Sequence, residues 1–167
     1  MLTAPDSPAA LANTLLFEWE QRTRPVAACL ASRPALLTQL AAICATLRPG
    51  AAMHITAGDL RAVLASAAAF GIGTARASGP DRAARAANAV VAGARAPGHC
   101  APIGPAHQAL LSISSPAAVP LHMDELTVIL EIAQHALGPD VEIVFGHDET
   151  DKATAPDLQV WLLVGYA

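Results

Sequence analysis

Residues 70–91 constrain this chain most, because they read as a strand that runs through a tight turn into a helix. Phe70, Ile72 and Thr74 alternate with Gly71, Gly73 and Ala75, the period of two expected of a strand. Ser78-Gly79-Pro80-Asp81 then reads as a helix start. Ser78 or Gly79 can cap, Pro80 suits the first helical position, and Asp81 sits where the helix dipole favours an anion. The following helix is mostly alanine, so it can approach a sheet closely, and Gly93 marks its expected stop.

The 167 residues suffice for one domain with a real core. Hydrophobic residues make up 53% and charged residues only 14%, with alanine supplying much of the apolar share. No apolar run is long enough to span a bilayer. Glu18 and Glu20 interrupt the most hydrophobic part of the first segment, so a secretory signal is not expected. Net charge is −4 with no basic cluster, which argues against a nucleic-acid surface. Cys29, Cys44 and Cys100 show no paired spacing, which suits reduced cytoplasmic thiols.

Before the central unit, the pattern is helical over 8–21, with Leu11, Leu15 and Trp19 at spacings of four. A second helix is expected over 34–47, with Leu37, Leu40, Cys44 and Leu47 as its buried stripe. Thr56-Ala57-Gly58-Asp59 has capping-box spacing ahead of a short helix whose inner face is Leu60, Val63, Leu64 and Ala67. After the unit, 94–106 reads as a loop, 108–114 as a strand ended by Pro116, and 123–137 as an amphipathic helix stopped by Gly138. That helix has Leu126, Ile129, Leu130, Ala133 and Leu137 inward. Residues 141–145 read as a strand, 146–156 as a polar hairpin-like connection, and 158–165 as a last strand with both faces partly covered.

The strings Gly58-Asp59-Leu60-Arg61-Ala62-Val63, Gly71-Ile72-Gly73, Ala77-Ser78-Gly79 with Arg82, Leu110-Leu111-Ser112-Ile113 and Ile143-Val144-Phe145-Gly146 occur in this order. In order and spacing they resemble the FtsZ/tubulin superfamily, from the end of FtsZ's central helix through its C-terminal domain. The resemblance starts near Pro34, so 1–33 is expected to be a helical extension and 34–167 the FtsZ C-terminal-like domain. The fold it implies is α/β: a two-layer sandwich of about four strands packed on helices 80–92 and 123–137, with further helices leading in. The sequence carries neither FtsZ's Gly-rich nucleotide signature nor a Gly-x-x-x-x-Gly-Lys-Ser/Thr loop. Arg76 follows Gly71-x-Gly73 where a dinucleotide fingerprint needs glycine.

In FtsZ the loop before the short helix reads Asn-x-Asp-x-x-Asp, and its carboxylates help activate water on the GTP of the next subunit. The matching residues here are His54, Thr56 and Asp59. Thr56 can cap a helix but cannot serve as an anionic base, so half of the acid pair is missing. The expected role of Asp59 is therefore the helix start, with Asp59 and His54 the weak candidates for catalysis. His99, Cys100 and His107 lack tight ligand spacing; no metal and no cofactor are expected. Trp19 and Trp161 read as packing residues, with Trp161 on the less covered sheet face.

The resemblance implies a non-enzymatic, cytoplasmic interaction module of bacterial cell division. It would bind or cap FtsZ or an FtsZ-like partner through His54, Thr56, Asp59 and Arg61. Two alternatives stand beside it. One is the half of a split FtsZ-like GTPase that activates turnover in trans; the other is a homo-oligomer with an unrelated ligand. Neither a nucleic acid nor a membrane is an expected partner.

Overall fold

The computed structural model describes residues 7–23, 32–47, 53–95, 104–150 and 157–167. The elements run α1 (Pro8–Arg22), α2 (Arg33–Cys44), α3 (Ala57–Ala65), β1 (Ala69–Ala77), α4 (Arg82–Ala94), β2 (Ala106–Pro116), α5 (Met123–Leu137), β3 (Glu142–Thr150) and β4 (Leu158–Tyr166). The expected α/β architecture is present, with one four-stranded sheet in the order β1-β4-β2-β3.

β4 is central, antiparallel to both β1 and β2, while β3 lies parallel to β2 at an edge. Its alternation explains its place. Leu158, Val160, Leu162 and Val164 are buried on one face and Leu163 on the other, so this strand has apolar cover on both sides. The β2–β3 crossover runs through α5. Gly146 and Asp148 therefore pair with Ser112 and Ser114 of β2. The polar stretch expected to form a hairpin-like connection is thus in large part strand, through Thr150. No hairpin joins β3 to β4, because the two are not neighbours in the sheet. A polar run can be strand here because an edge strand does not have to bury both faces.

The glycines of β1 let α4 settle onto the sheet. A Cβ on Gly73 would collide with the Val90 carbonyl oxygen, and one on Gly71 with that of Ala94. Gly93 lies inside α4 rather than at its stop: a Cβ there would sit 3.2 Å from Gly73 Cα. Its small size serves the same close approach. The start of α4 also falls later than the sequence suggests. Asp81 is the N-cap residue, in the left-handed region at φ 58°, and makes no side-chain cap bond. Arg82, the first helical residue, is 4% exposed. It donates to both oxygens of Glu125, at 2.6 and 2.8 Å, and to the carbonyls of Val119 and Pro120. One guanidinium thus ties α4, α5 and the turn after β2 together.

On the opposite face α1 and α3 cover one half of the sheet. The Trp19 ring meets Phe70 edge-on at 4.9 Å, and its indole N–H donates to the Ala67 carbonyl at 3.0 Å. The stripe of α2 is turned from the expected one. Leu36, Leu40, Ile43 and Cys44 are buried, whereas Leu37 and Leu47 are half-buried. Helix 2 ends at Cys44, and Thr46 is then pinned to the sheet by the Ser112 hydroxyl at 2.9 Å. Burial pushes the free Cys44 thiol up to about 11. Among the described residues no helix is long and apolar enough to cross a membrane.

Candidate functional site: the loop ahead of α3

Residues 53–61 form a short extended segment that enters α3 and is held from three sides. Beneath it lies β3. The Met53 carbonyl accepts from His147 N–H at 3.2 Å, an isolated antiparallel bridge. Ile55 is buried against Gly146, where a Cβ would stand 2.7 Å from Ile55 Cγ1 and 2.9 Å from the Met53 carbonyl oxygen. Only glycine leaves room for the segment to cross the strand there.

At the start of α3 the capping box forms in both directions. The Asp59 amide donates to Thr56 Oγ1 at 3.2 Å, and the Thr56 amide donates to Asp59 Oδ2 at 2.7 Å. The Thr56 hydroxyl also donates to Asp59 Oδ2 at 2.7 Å. Asp59 is half-buried, and Oδ2 is committed to the cap. A carboxylate at this position also complements the helix dipole. One turn on, Arg61 Nε donates to Glu18 Oε2 at 2.8 Å, so α1 braces the exposed side of α3.

The structure thus brings Thr56 and Asp59 into direct contact. His54 is exposed two residues before the cap, and Arg61 is exposed and joined to α1. Two supporting residues were not singled out from the sequence for this site. Glu18 gave no signal, since it lies 43 positions from its partner. Gly146 reads in the sequence as the start of a polar connection; only its place directly after the apolar run Ile143-Val144-Phe145 hints at a close approach.

The other sequence candidates fall elsewhere. His107 Nε2 lies 2.7 Å from the Ser66 hydroxyl. His99, Cys100, Cys29 and Asp151 lie outside the described residues. Asp148 and Glu149 belong to β3 rather than to a turn. Trp161 is half-buried on the sheet face carrying Phe70, and it lines an open groove of about 260 Å³ with Ala42, Thr46, Ser114 and Gln159.

An extended loop on a sheet edge, a capped short helix, a glycine strand and a four-stranded sheet in this order have counterparts among solved structures. The W319Y mutant of FtsZ from M. jannaschii superposes with a TM-score of 0.62 at 17% identity, over 79% of this chain and 38% of that one. The fold is FtsZ-like. An empty FtsZ dimer from the same organism gives 0.57 at 18% identity, over 79% of this chain and 37% of that one. CetZ from Methanosaeta thermophila gives 0.54 at 18%, over 79% and 35%. The chain spans little more than a third of the length of these structures, and the FtsZ-like part it represents is the C-terminal domain. No protein-family model matches the sequence, and no curated protein matches it.

Proposed function

We propose that this FtsZ-like domain is a non-enzymatic, cytoplasmic docking module. It binds FtsZ or an FtsZ-like partner of cell division through His54, Thr56, Asp59 and Arg61. The observation that supports this reading is the set of contacts around that segment. A glycine seat on β3, a reciprocal cap and a brace from Glu18 hold an exposed loop in one shape. A surface fixed before binding loses less conformational freedom on docking. Commitment of Asp59 Oδ2 to the cap argues for positioning over water activation.

The test is a pull-down and a filament-pelleting assay with the FtsZ-like protein of the same cell. Binding and an altered polymer mass are expected. The double variant Arg61→Glu with His54→Ala should weaken binding by about tenfold or more while leaving the fold intact. Absence of binding and of any change in polymer would reject the reading. A rise in the partner's GTP turnover that disappears with Asp59→Ala would replace it with activation in trans.

A further inference from the structure

Among the described residues, the first half of β3 has an outer edge without a neighbouring strand, and that half is apolar. Ile143, Val144 and Phe145 are all half-buried, although they sit at the centre of their strand's first half. The N–H of His147 points away from β2, since it donates to Met53. By the alternation of a parallel ladder, Ile143 and Phe145 turn their N–H and C=O groups the same way. Among the described residues no backbone group pairs with them on that side. The Met53–His147 bridge ends where this free stretch begins, so the edge already takes antiparallel pairing at one point. Helix α5 comes close to the head of β3. Its Gln134 amide donates to the Val141 carbonyl just ahead of β3, at 3.2 Å. The flank bearing Gln134 also carries half-buried Leu130 and Leu137 and, at heptad spacing, Met123, which is 72% exposed.

Charge identifies the occupant. Between Ala117 and Thr150 the chain has seven Asp or Glu and neither lysine nor arginine. Glu125 is neutralised by Arg82; Asp124, Glu131 and Glu149 are exposed around the apolar strip, as is Glu142 at the head of the strand. Pairing two copies of this edge would bring two such acidic lobes together, which like-charge repulsion opposes. A basic chain would instead be drawn to it. An apolar stretch of edge left open among the described residues is a template for strand addition.

We propose that the β3 edge, with the Met123–Leu130–Leu137 flank of α5, takes up an extended segment of a partner protein as an added strand. That segment alternates apolar residues with lysine or arginine. Main-chain bonds to Ile143 and Phe145 supply the pairing, and the carboxylates select the charge. This surface adjoins the segment that carries His54 at the Met53–His147 bridge; its test uses a peptide probe and substitutions in β3 alone, so its failure is distinguishable from failure of the docking function.

The probe is a fluorescein-labelled peptide of alternating lysine and valine, titrated into the full chain at low and moderate salt. Fluorescence anisotropy should report saturable binding that weakens with salt. A peptide with proline in place of each valine keeps the charge but gives up half of its backbone donors and the valine side chains, and it should bind at least about tenfold more weakly. Ile143→Pro removes an outward donor and spares the β2–β3 ladder, so it should fold and lose a comparable factor. If that variant is not folded by circular dichroism, Glu142→Lys with Glu149→Lys takes its place and should reduce affinity for the lysine–valine peptide by about tenfold. Equal binding of the two peptides would reduce the effect to charge adsorption and overturn the proposal. So would unchanged affinity in the folded variant. Light scattering that showed a dimer dispersed by the same variant would assign the edge to a second copy instead.

Discussion

Three glycines show how single residues position this molecule's surfaces. Gly73 and Gly93 face each other across β1 and α4, and neither has room for a methyl group without moving backbone. Gly146 does the same for the segment that precedes α3, although there the nearest neighbour is a side-chain atom, Ile55 Cγ1, and the backbone beyond it belongs to a loop rather than to a helix. The two sites should therefore respond differently to the same change. Gly73→Ala presses against the Val90 carbonyl in the core of the helix–sheet contact and should cost about 3 kcal/mol or more, checked by urea unfolding. Gly146→Ala can be accommodated by lifting residues 53–55 off the strand, so about 1–2 kcal/mol is expected. Its signature should be local: faster hydrogen exchange at the His147 amide, whose acceptor is Met53. Equal global losses with no local exchange effect would contradict the seat described for the loop.

At the scale of elements, what the sequence discloses depends on how far each element's own pattern is matched by its burial. α5 was readable from 123 to 137 because its apolar stripe, acidic first turn and glycine stop agree with one another. The cap of α3 was equally readable, since Thr56 and Asp59 satisfy it within four residues. The strand pattern of β3 extends in the sequence only to Phe145. Its second half is Gly-His-Asp-Glu-Thr, a turn by composition, and it becomes strand by pairing with residues of β2 more than thirty positions away. The start of α4 departs from its sequence pattern for a related reason. Ser78, Gly79 and Pro80 resemble a cap, but Arg82 must reach Glu125, and that tertiary bond accompanies an N-cap at Asp81 in the left-handed region. Of the candidate site, the four residues were legible and their supports were not, because Glu18 and β3 come from distant segments. The local part can be tested alone. Thr56→Ala removes the hydroxyl of the capping box and should destabilise the chain by about 1 kcal/mol, whereas Thr56→Ser should stay near the parent in thermal unfolding. A Thr56→Ser loss as large as that of Thr56→Ala would show that the methyl group, not the cap, carries the effect.

The α4/α5 side of the molecule is fastened by the Arg82–Glu125 ion pair, and this gives its stability a distinct acid limb. Arg82 is almost fully buried, and its bonds hold the Glu125 carboxyl down at about 2 from an ordinary 4.5, with the amide of His122 adding a further bond. Between those two values the unfolded chain takes up a proton that the folded chain does not. The contribution is therefore complete above pH 4.5 and drains away as pH falls toward 2. A shift of this size corresponds to about 3 kcal/mol, most of it attached to one contact. Glu125→Gln keeps the size of the side chain and removes the charge from beside the buried guanidinium. Near neutral pH it should be less stable than the parent by about 2–4 kcal/mol, and the gap should narrow steadily once the pH drops below 4.5. Urea unfolding of both proteins from pH 7 to pH 2 measures that gap directly, and subtracting one series from the other removes the carboxylates they share. Two curves that stay parallel throughout would mean that Glu125 titrates alike in the folded and unfolded chains. The bidentate bond would then contribute geometry to the junction of α4, α5 and the turn after β2, but no pH-dependent stability.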